Sequence, residues 1–230
     1  MTAKIICVYN NPKIFDKVVK NNEHLKNCEI FAYDNTVENI SITKQYNRFI
    51  EENIKAAARG GRLEKDFWCL FIHQDFGMME DINPILEKLS TNNIYGAVGS
   101  KFYDGFLFRK NGFNINYGRI LQGNNDFNFH EYGVKVKRPK TVDSVDCCCI
   151  IVHSSLVKKY NLHFDENLDF HMYAEEFCYS AKKNYRIKSK IVQMKCFHMG
   201  TGNLNEEFQK SAQYLKEKFN IKRVPSTCPT

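Results

Sequence analysis

The sequence contains no long apolar run, no secretory leader and no pair of cysteines at CxxC spacing. A membrane-spanning helix needs about 20 consecutive apolar residues, and no run of that length occurs, so we predict no transmembrane segment. The first residues lack the charged region, the apolar stretch and the cleavage site of a leader peptide. These absences lead us to expect a cytoplasmic protein, with peripheral contact to the inner face of a membrane left open.

The nine cysteines are an odd number, and three of them are consecutive, at positions 147–149. Such a run cannot form a regular disulfide framework, and the ligand spacing of zinc sites is missing. We interpret the cysteines as small buried residues of a protein in a reducing compartment. A metal–thiolate cluster is the alternative that the sequence leaves open.

The formal net charge of +7 allows three kinds of partner: nucleic acid, an anionic membrane surface or a phosphorylated ligand. The basic residues form no dense tract and are not interleaved with aromatic residues, as they are in proteins that bind single-stranded nucleic acid. We therefore expect no nucleic-acid partner and interpret most of these residues as solvated surface. Two groups carry much of the excess: Lys135, Lys137, Arg138 and Lys140, and Lys182, Lys183, Arg186, Lys188 and Lys190.

The first half of the chain alternates between the patterns of strands and helices. Short β-branched and aromatic runs end at Pro, Asn or Asp, and apolar residues recur at helical spacing between them. Alternation of this kind is typical of an α/β fold with a mostly parallel, Rossmann-like sheet and helices on both faces. The predicted strands are 4–8, 28–33 and 67–72, and the predicted helices are 12–22, 41–58 (with Ser41 as N-cap) and 83–89.

Polar side chains follow each of these three strands: Asn10, Asp34 and Asp75. Because the carboxyl ends of parallel strands meet at one edge of a sheet, we expect these side chains to converge on one crevice. Asp75 comes just after an apolar strand, and a carboxylate there can hold a divalent cation against phosphate oxygens. The alternative for Asp75 is a turn residue that caps the next helix.

The second half of the chain changes in character. Residues 100–142 are rich in Gly, Asn, Phe and Tyr and show little helical spacing, so we predict a smaller region of loops and short antiparallel strands that covers the crevice. No linker or internal repeat is evident, and we predict a single domain over residues 1–230. The further predicted elements are strands 94–99, 142–152 and 187–195 and helices 154–160, 172–184 and 206–219.

Taken in order, these motifs resemble the nucleotide-sugar-dependent glycosyltransferases of the GT-A fold, and are most similar to family 2 in a branch with an HQD-type motif. The resemblance covers nearly the whole chain. The matching pieces are Val8-Tyr9-Asn10-Asn11, Tyr33-Asp34-Asn35, Tyr46-Asn47, Phe71-Ile72-His73-Gln74-Asp75, Gly96-Ala97-Val98-Gly99, Val145-Asp146, Leu162-His163-Phe164-Asp165-Glu166, Phe170-His171-Met172-Tyr173, Glu176-Phe177-Cys178 and Phe197-His198-Met199-Gly200.

The resemblance implies a nucleotide-binding half, residues 1–99, and an acceptor and catalytic half, residues 100–230. It implies a nucleoside-diphosphate sugar as donor and Mn²⁺ or Mg²⁺ as cofactor, held by Asp75, while His198 would complete the metal site or contact phosphate. His73 stands where the first acid of the family's DxD motif would be, which is a departure from the family pattern. The resemblance places Asn10 and Asp34 at the nucleotide base and ribose. Tyr9, Asn47, Gln74 and Asp146 are further candidates for the donor site, with a plain loop hydrogen bond as the alternative for Asp146. The positive charges of Lys101 and Arg109 make these two residues candidates for phosphate contacts.

The resemblance also implies a general base at the start of helix 172–184. Ala174 stands where relatives carry the base Asp, so Glu175 or Glu176 would have to serve, or the base comes from elsewhere, or activity is lost. An acid in the first turn of a helix is also favoured by the helix dipole, so one of the two needs no catalytic role. His171 and Tyr173 fall on the acceptor side.

These roles describe a metal-assisted, inverting glycosyltransferase that acts on a glycan or a lipid-linked acceptor. Two alternatives stay open. A sugar nucleotidyltransferase has a similar crevice, but such enzymes usually carry a Gly-rich basic loop after the first strand, which Tyr9-Asn10-Asn11-Pro12 lacks. A nucleotide-sugar-binding module with impaired catalysis would account for His73 and Ala174.

Overall fold

The computed structural model describes residues 3–56, 65–103, 112–123, 128–200 and 204–228, and Arg109 lies outside them. The strands are β1 (Ala3–Tyr9), β2 (Glu29–Asp34), β3 (Trp68–His73), β4 (Phe76–Met78), β5 (Asn93–Gly96), β6 (Gly99–Tyr103), β7 (Phe113–Tyr117), β8 (Ile120–Gln122), β9 (His130–Tyr132), β10 (Lys140–Val142), β11 (Ser144–Val145), β12 (Cys149–His153), β13 (Lys188–Ile191) and β14 (Cys196–His198). The α-helices are α1 (Pro12–Phe15), α2 (Ile42–Phe49), α3 (Asn83–Leu86), α4 (Ser154–Tyr160), α5 (Tyr173–Tyr185) and α6 (Glu206–Phe219). Helices α1 and α2 continue into π-helical turns at Asp16–Lys20 and Ile50–Lys55, and Glu23–Leu25 is a 3₁₀ turn.

The centre of the fold is a seven-stranded sheet in the order β10-β13-β5-β12-β3-β1-β2. Strands β1, β2 and β3 are parallel neighbours, and β5 and β13 run in the same direction, while β10 and β12 run the opposite way. The prediction of an α/β fold with a large, mostly parallel sheet is therefore confirmed. Two small sheets, β11-β6-β7 and β4-β14-β8-β9, lie beside it.

The side chains of strand β3 pack against apolar residues on both faces of the central sheet. All six of its residues are buried, and successive side chains of a strand point to opposite faces. Cys69 and Phe71 join an apolar cluster with Tyr46 and Phe49 of α2, whereas Leu70 joins a second cluster on the other face. Each large apolar side chain buried in this way contributes about 1.5–3 kcal/mol.

Most of the predicted helices are present where expected. Helix α2 begins after Ser41, whose side chain accepts a hydrogen bond from the Lys44 backbone N–H, as predicted for an N-cap. Helix α5 is one residue later than the predicted 172–184, and α6 has the predicted bounds. The predicted helix 83–89 is shorter, because its α-helical part ends at Leu86.

Two predicted strands were wrong because each is divided between two sheets. The run 94–99 leaves the central sheet at Gly96 and enters another at Gly99, where a Cβ would lie 2.3 Å from the Ser144 carbonyl oxygen. The run 142–152 is likewise split: Val142 ends β10 of the central sheet, β11 lies in a small sheet, and β12 returns to the central sheet after a break that contains Asp146. An apolar run is continuous through such a change, so the hydrophobic pattern does not reveal it. The predicted strand 187–195 extends over Lys188–Ile191 alone.

Residues 100–142 contain short antiparallel pairs in their described part, β6 with β7 and β8 with β9, as predicted. Over the residues that the structure describes, we find no helix with the length and apolar character needed to cross a bilayer.

Candidate functional site

The carboxyl ends of β1 and β2 lie side by side. Tyr9 is the register partner of Asp34, and the Asn35 backbone N–H donates to the Tyr9 carbonyl at 2.8 Å. The Asp34 carboxylate is exposed and accepts a hydrogen bond from the Thr36 backbone N–H at 2.9 Å, which lowers the pKa of this carboxyl group. Asp34 therefore presents an ionised acceptor beside the Tyr9 ring, which stacks on Phe15 at 4.3 Å.

Gln74 connects the end of β3 to the loop after β1. Its side-chain oxygen accepts hydrogen bonds from the backbone N–H groups of Asn10 and Asn11 at 3.0 and 2.8 Å, and its amide nitrogen donates to the Asn10 side chain at 2.8 Å. The two strand ends are thus joined by one side chain. This brings Asn10 next to the HQD segment, as the topology predicted.

We expect Gln74→Ala to lower the free energy of unfolding by about 1–2 kcal/mol, because three hydrogen bonds worth about 0.5–1.5 kcal/mol each are lost and water replaces part of them. Urea unfolding measures this change. Gln213→Ala is the matched control, since its amide bonds only to exposed Glu217 on α6, and we expect a change within about 0.5 kcal/mol. Equal stability of the two variants would contradict the bridging role of Gln74.

His73, Asp75 and His198 form a compact cluster, in which one donor atom from each residue lies within 4.8 Å of the others. Strand β14 brings His198 to this place, because it pairs with β4 directly after Asp75 and the Met199 backbone N–H donates to the Asp75 carbonyl at 3.0 Å. The Nε2 atom of His198 lies 3.4 Å from a carboxylate oxygen of Asp75. The strand ends therefore carry an acid between two imidazoles.

The charges of the cluster depend on one another. Burial alone would raise the pKa of Asp75, but the hydrogen bond and the charge of His198 outweigh it and lower this pKa to about 2. Burial alone would lower the pKa of His198, but Asp75 outweighs it and raises this pKa. Burial lowers the pKa of His73 to about 4, so this imidazole is neutral near pH 7. Asp75 thus favours the protonated form of His198, beside a His73 that is neutral near pH 7.

The donor set suits a divalent cation. Two imidazoles and one carboxylate are ligands that transition metals such as Mn²⁺ accept, while Mg²⁺ prefers oxygen ligands alone. Gly200 lies close against these groups, because a Cβ at this position would come within 3.0 Å of both Asp75 Oδ2 and His198 Cε1, so a larger residue would crowd the donor atoms. The imidazoles must be unprotonated to bind a metal, so metal affinity is expected to rise with pH as His198 loses its proton.

Asp146 lies at the break between β11 and β12 and is held by hydrogen bonds within its surroundings. Its carboxylate accepts from the Cys148 backbone N–H at 2.8 Å and from the Thr227 hydroxyl. Burial alone would raise the pKa of Asp146, but the charge of His198 is the first of several effects that lower it. The charge of His198 thus acts on Asp146. The hydrogen bonds to Cys148 and Thr227 are a simpler explanation for an acid at this position.

Glu175 and Glu176 are both buried but have different environments. Glu176 accepts hydrogen bonds from Lys218 at 2.8 Å and from Ser180 at 2.5 Å, so it belongs to an ion pair with α6. Glu175 instead hydrogen-bonds to Ser226 and is close to Asp146, and burial raises its pKa to about 7. The two acids therefore differ: the pKa of Glu175 is raised to about 7, whereas Glu176 is paired with Lys218.

Two predicted residues have partners of their own. The Asn47 amide donates to the Phe164 carbonyl and to Glu166, both at 2.9 Å, and so ties α2 to the turn after α4. The Lys101 ammonium donates to Asp143 at 3.1 Å. Asn47 also lines a cavity of about 540 Å³, which none of the three cluster residues lines. That Asn47 and Lys101 contact the donor stays a prediction.

Several contacts of the site have no signal in the sequence. Phe170 stacks on His73 with ring centroids 5.5 Å apart, and the Gln122 amide lies within hydrogen-bond distance of His198 Nδ1. Ser226 and Thr227 contact Glu175 and Asp146 from a segment without regular structure. These residues are separated widely in sequence from the groups that they contact. Phe170 lies in one of the pieces that resemble the family, but no periodicity or motif marks the other residues or predicts any of these contacts.

The mostly parallel central sheet with its helices is consistent with a GT-A-like α/β fold. The solved structures that share it include S. aureus TarS: the fragment 1–349 has a TM-score of 0.51 at 10% identity over 96% of this chain and 66% of the fragment. A longer TarS structure has a TM-score of 0.52 at 12% identity over 96% of this chain and 40% of TarS. A197 from STIV has a TM-score of 0.49 at 10% identity over 87% of each chain.

The chain thus spans just under two thirds of the shorter TarS structure and two fifths of the longer one. At these identities the likeness concerns the fold alone. No family model matches the sequence, and no curated protein does.

Proposed function

We propose that the protein is a glycosyltransferase that takes a sugar from a nucleoside-diphosphate sugar and transfers it to a glycan or a lipid-linked acceptor. The observation that carries the proposal is the row of groups at the carboxyl ends of β2, β1 and β3: Asp34, then Asn10 with Gln74, then the cluster around Asp75. Ligands of open α/β sheets bind at this edge. The GT-A-like fold shared with the glycosyltransferase TarS supports the same class of reaction.

In this proposal the ends of β1 and β2 bind the nucleoside. The Asp34 carboxylate accepts hydrogen bonds from ribose hydroxyls, and Tyr9 provides an aromatic surface for the base. Gln74 holds the Asn10 backbone in place, so the loop after β1 is fixed before the donor arrives. Asn47, Lys101 and Asp146 are kept as further candidates for donor contacts, which would require each to share or leave its partner Glu166, Asp143 or Thr227.

His73, Asp75 and His198 are the residues that would hold a divalent cation, and the mixed nitrogen and oxygen donors favour Mn²⁺ over Mg²⁺. When bound, such a cation stabilises the negative charge that develops on the leaving diphosphate. Asp75 supplies the fixed negative charge of the set. His73 is buried and neutral, so it can offer a ligand near pH 7 without first losing a proton, whereas His198 must give up its proton before it can bind the cation.

Glu175 is the proposed general base. A base works best when its pKa lies near the working pH, and Glu175 meets this condition while Glu176 is committed to Lys218. Glu175 would remove the proton of the acceptor hydroxyl as the hydroxyl oxygen attacks the sugar. Attack from the side opposite the diphosphate makes the reaction inverting.

A thermal-shift screen tests the proposal. UDP-, GDP-, CDP- and dTDP-sugars are each added with and without Mn²⁺, and a ligand present at about 100 times its Kd stabilises the folded protein by about 2.7 kcal/mol. We expect one nucleotide to raise Tm by roughly 5–10 °C, and more with Mn²⁺ than without it. The proposal fails if none of the four nucleotides changes Tm in either condition. A donor that binds but is neither transferred nor slowly hydrolysed would favour the binding-module alternative instead.

A further inference from the structure

Tyr173, the first residue of α5, contacts the cluster through His73. Its side chain is fully buried, and its hydroxyl oxygen lies 2.9 Å from His73 Nε2 and 3.0 Å from the Cys147 carbonyl oxygen. The same hydroxyl therefore joins the helix that carries Glu175 to the HQD segment and to the residue after Asp146.

The direction of these two hydrogen bonds follows from the number of protons. A phenol hydroxyl has one proton to donate, and a backbone carbonyl can only accept. The Tyr173 proton is thus directed to Cys147, and the Tyr173 oxygen must accept from His73. Tyr46 packs against Tyr173 but does not change this count, because its own hydroxyl donates to the Ile72 carbonyl at 3.2 Å.

The consequence concerns the tautomer of His73. A neutral imidazole carries one proton, and if it lies on Nε2 then Nδ1 keeps its lone pair. Within the described part of the chain, Nδ1 of His73 has no hydrogen-bond partner, in contrast to Nε2. Metal-ligating histidines usually donate their other ring N–H to a second group, which fixes both the tautomer and the orientation of the ring.

We propose that Tyr173 is a positioning residue that holds His73 as the Nε2–H tautomer and so reserves its Nδ1 lone pair for a divalent cation. The inference rests on the proposed function, because the cation belongs to the same site. His73 stands where the family pattern has an acid. In this proposal, Tyr173 is the group that allows a histidine at that position to act as a metal ligand. The Phe170 ring stacked on His73 restrains the plane of the imidazole but has no atom that selects a tautomer.

The experiment uses the full chain and Mn²⁺ alone as the probe. Isothermal titration calorimetry and Mn²⁺ electron paramagnetic resonance measure affinity in the wild type, in Tyr173→Phe and in Tyr95→Phe. Loss of such an outer partner typically weakens metal binding about 10–100-fold, and we expect this for Tyr173→Phe. Tyr95 is the matched control, because its buried hydroxyl bonds to Ser90 and Asn93 instead of to the cluster, and its loss should leave affinity near the wild-type value.

A second readout addresses the tautomer directly and needs no metal. Long-range ¹H–¹⁵N NMR of the metal-free wild type should show His73 with its proton on Nε2, and Tyr173→Phe should shift the population toward Nδ1–H. A wild-type spectrum with the proton on Nδ1 overturns the inference, even if Tyr173→Phe does not fold. Equal Mn²⁺ affinity in the wild type and Tyr173→Phe overturns it as well. An Nε2–H tautomer in a wild type that does not bind Mn²⁺ would instead support the role of Tyr173 in setting the tautomer and refute the metal site of the proposed function.

Discussion

Asp75→Ala is expected to abolish the Mn²⁺-dependent part of nucleotide-sugar binding and to lower turnover of the donor by roughly 10³-fold, since a bound cation stabilises transition-state charge by several kcal/mol. Asp75 is the one carboxylate among the three cluster residues, so its loss leaves two imidazoles and no negative charge to hold the cation. Calorimetry with and without Mn²⁺ measures the binding, and donor hydrolysis measures the turnover.

The control for Asp75 lies just before the opposite end of the same strand. Asp66 accepts hydrogen bonds from Ser154 and Lys158, and Asp66→Ala should affect stability modestly but leave Mn²⁺-dependent binding intact. If Asp75→Ala binds donor and Mn²⁺ as tightly as Asp66→Ala does, the metal role of the cluster is refuted. Asp75→Asn adds a check, because it keeps the shape of the side chain and removes the charge.

Glu175→Gln is expected to reduce donor turnover by about 10²–10⁴-fold while the affinity for the donor stays unchanged, because a general base acts in the chemical step. The base must be ionised to accept a proton, and burial raises its pKa to about 7. Turnover by the wild type should therefore rise as the pH increases through about 7 and level off above it. A profile that is flat across this range would exclude Glu175 as the base.

Glu175→Gln, which is expected to lower turnover, should at the same time raise the stability of the folded protein at high pH. The pKa of Glu175 is higher in the folded protein than its ordinary value of 4.5, so the folded state binds more protons than the unfolded state between these two pH values. The contribution of Glu175 to the free energy of unfolding is then fully present below about pH 4.5 and is lost as the pH rises through about 7. Above pH 7, Glu175→Gln should stabilise the protein by up to about 3 kcal/mol, as measured by urea unfolding.

Glu176→Gln separates the two acids. It breaks the contact with Lys218 and leaves the lysine next to a neutral amide, so we expect lower stability with donor turnover near the wild-type level. A loss of turnover in Glu176→Gln that equals the loss in Glu175→Gln would reverse the assignment of the base.

The row of polar residues at the strand ends could be predicted, because it depends only on where each strand ends and on the parallel direction of the strands. Polar residues that follow parallel strands share one edge of the sheet, and Asn10, Asp34 and Asp75 do so. The arrival of His198 could not be derived in this way, because it depends on the pairing of β14 with β4, two short strands far apart in the chain. The resemblance to a family suggested it, and the geometry places it beside Asp75.

Other features were beyond the sequence for physical reasons. The break at Asp146 falls inside an apolar run, where hydrophobic spacing is the same for one strand as for two in different sheets. The distinction between Glu175 and Glu176 depends on which side of α5 meets Lys218, and this is fixed by the packing of α6. The Tyr173 contact depends on a helix start at Met172, which has a left-handed backbone with φ of 62°.

The contacts that assemble the site also determine when it can exist during folding. Gln74 reaches Asn10 across 64 positions, Thr227 reaches Asp146 across 81, and Tyr173 reaches His73 across 100. Contacts of such high order require the entropy of large loops to be lost before they contribute anything. A collapsed intermediate with its helices already formed would still lack a place for the cation. If the cation binds as proposed, we expect its capture to be a late event on the folding pathway, and its rate in refolding experiments to report the final docking of the chain rather than its collapse.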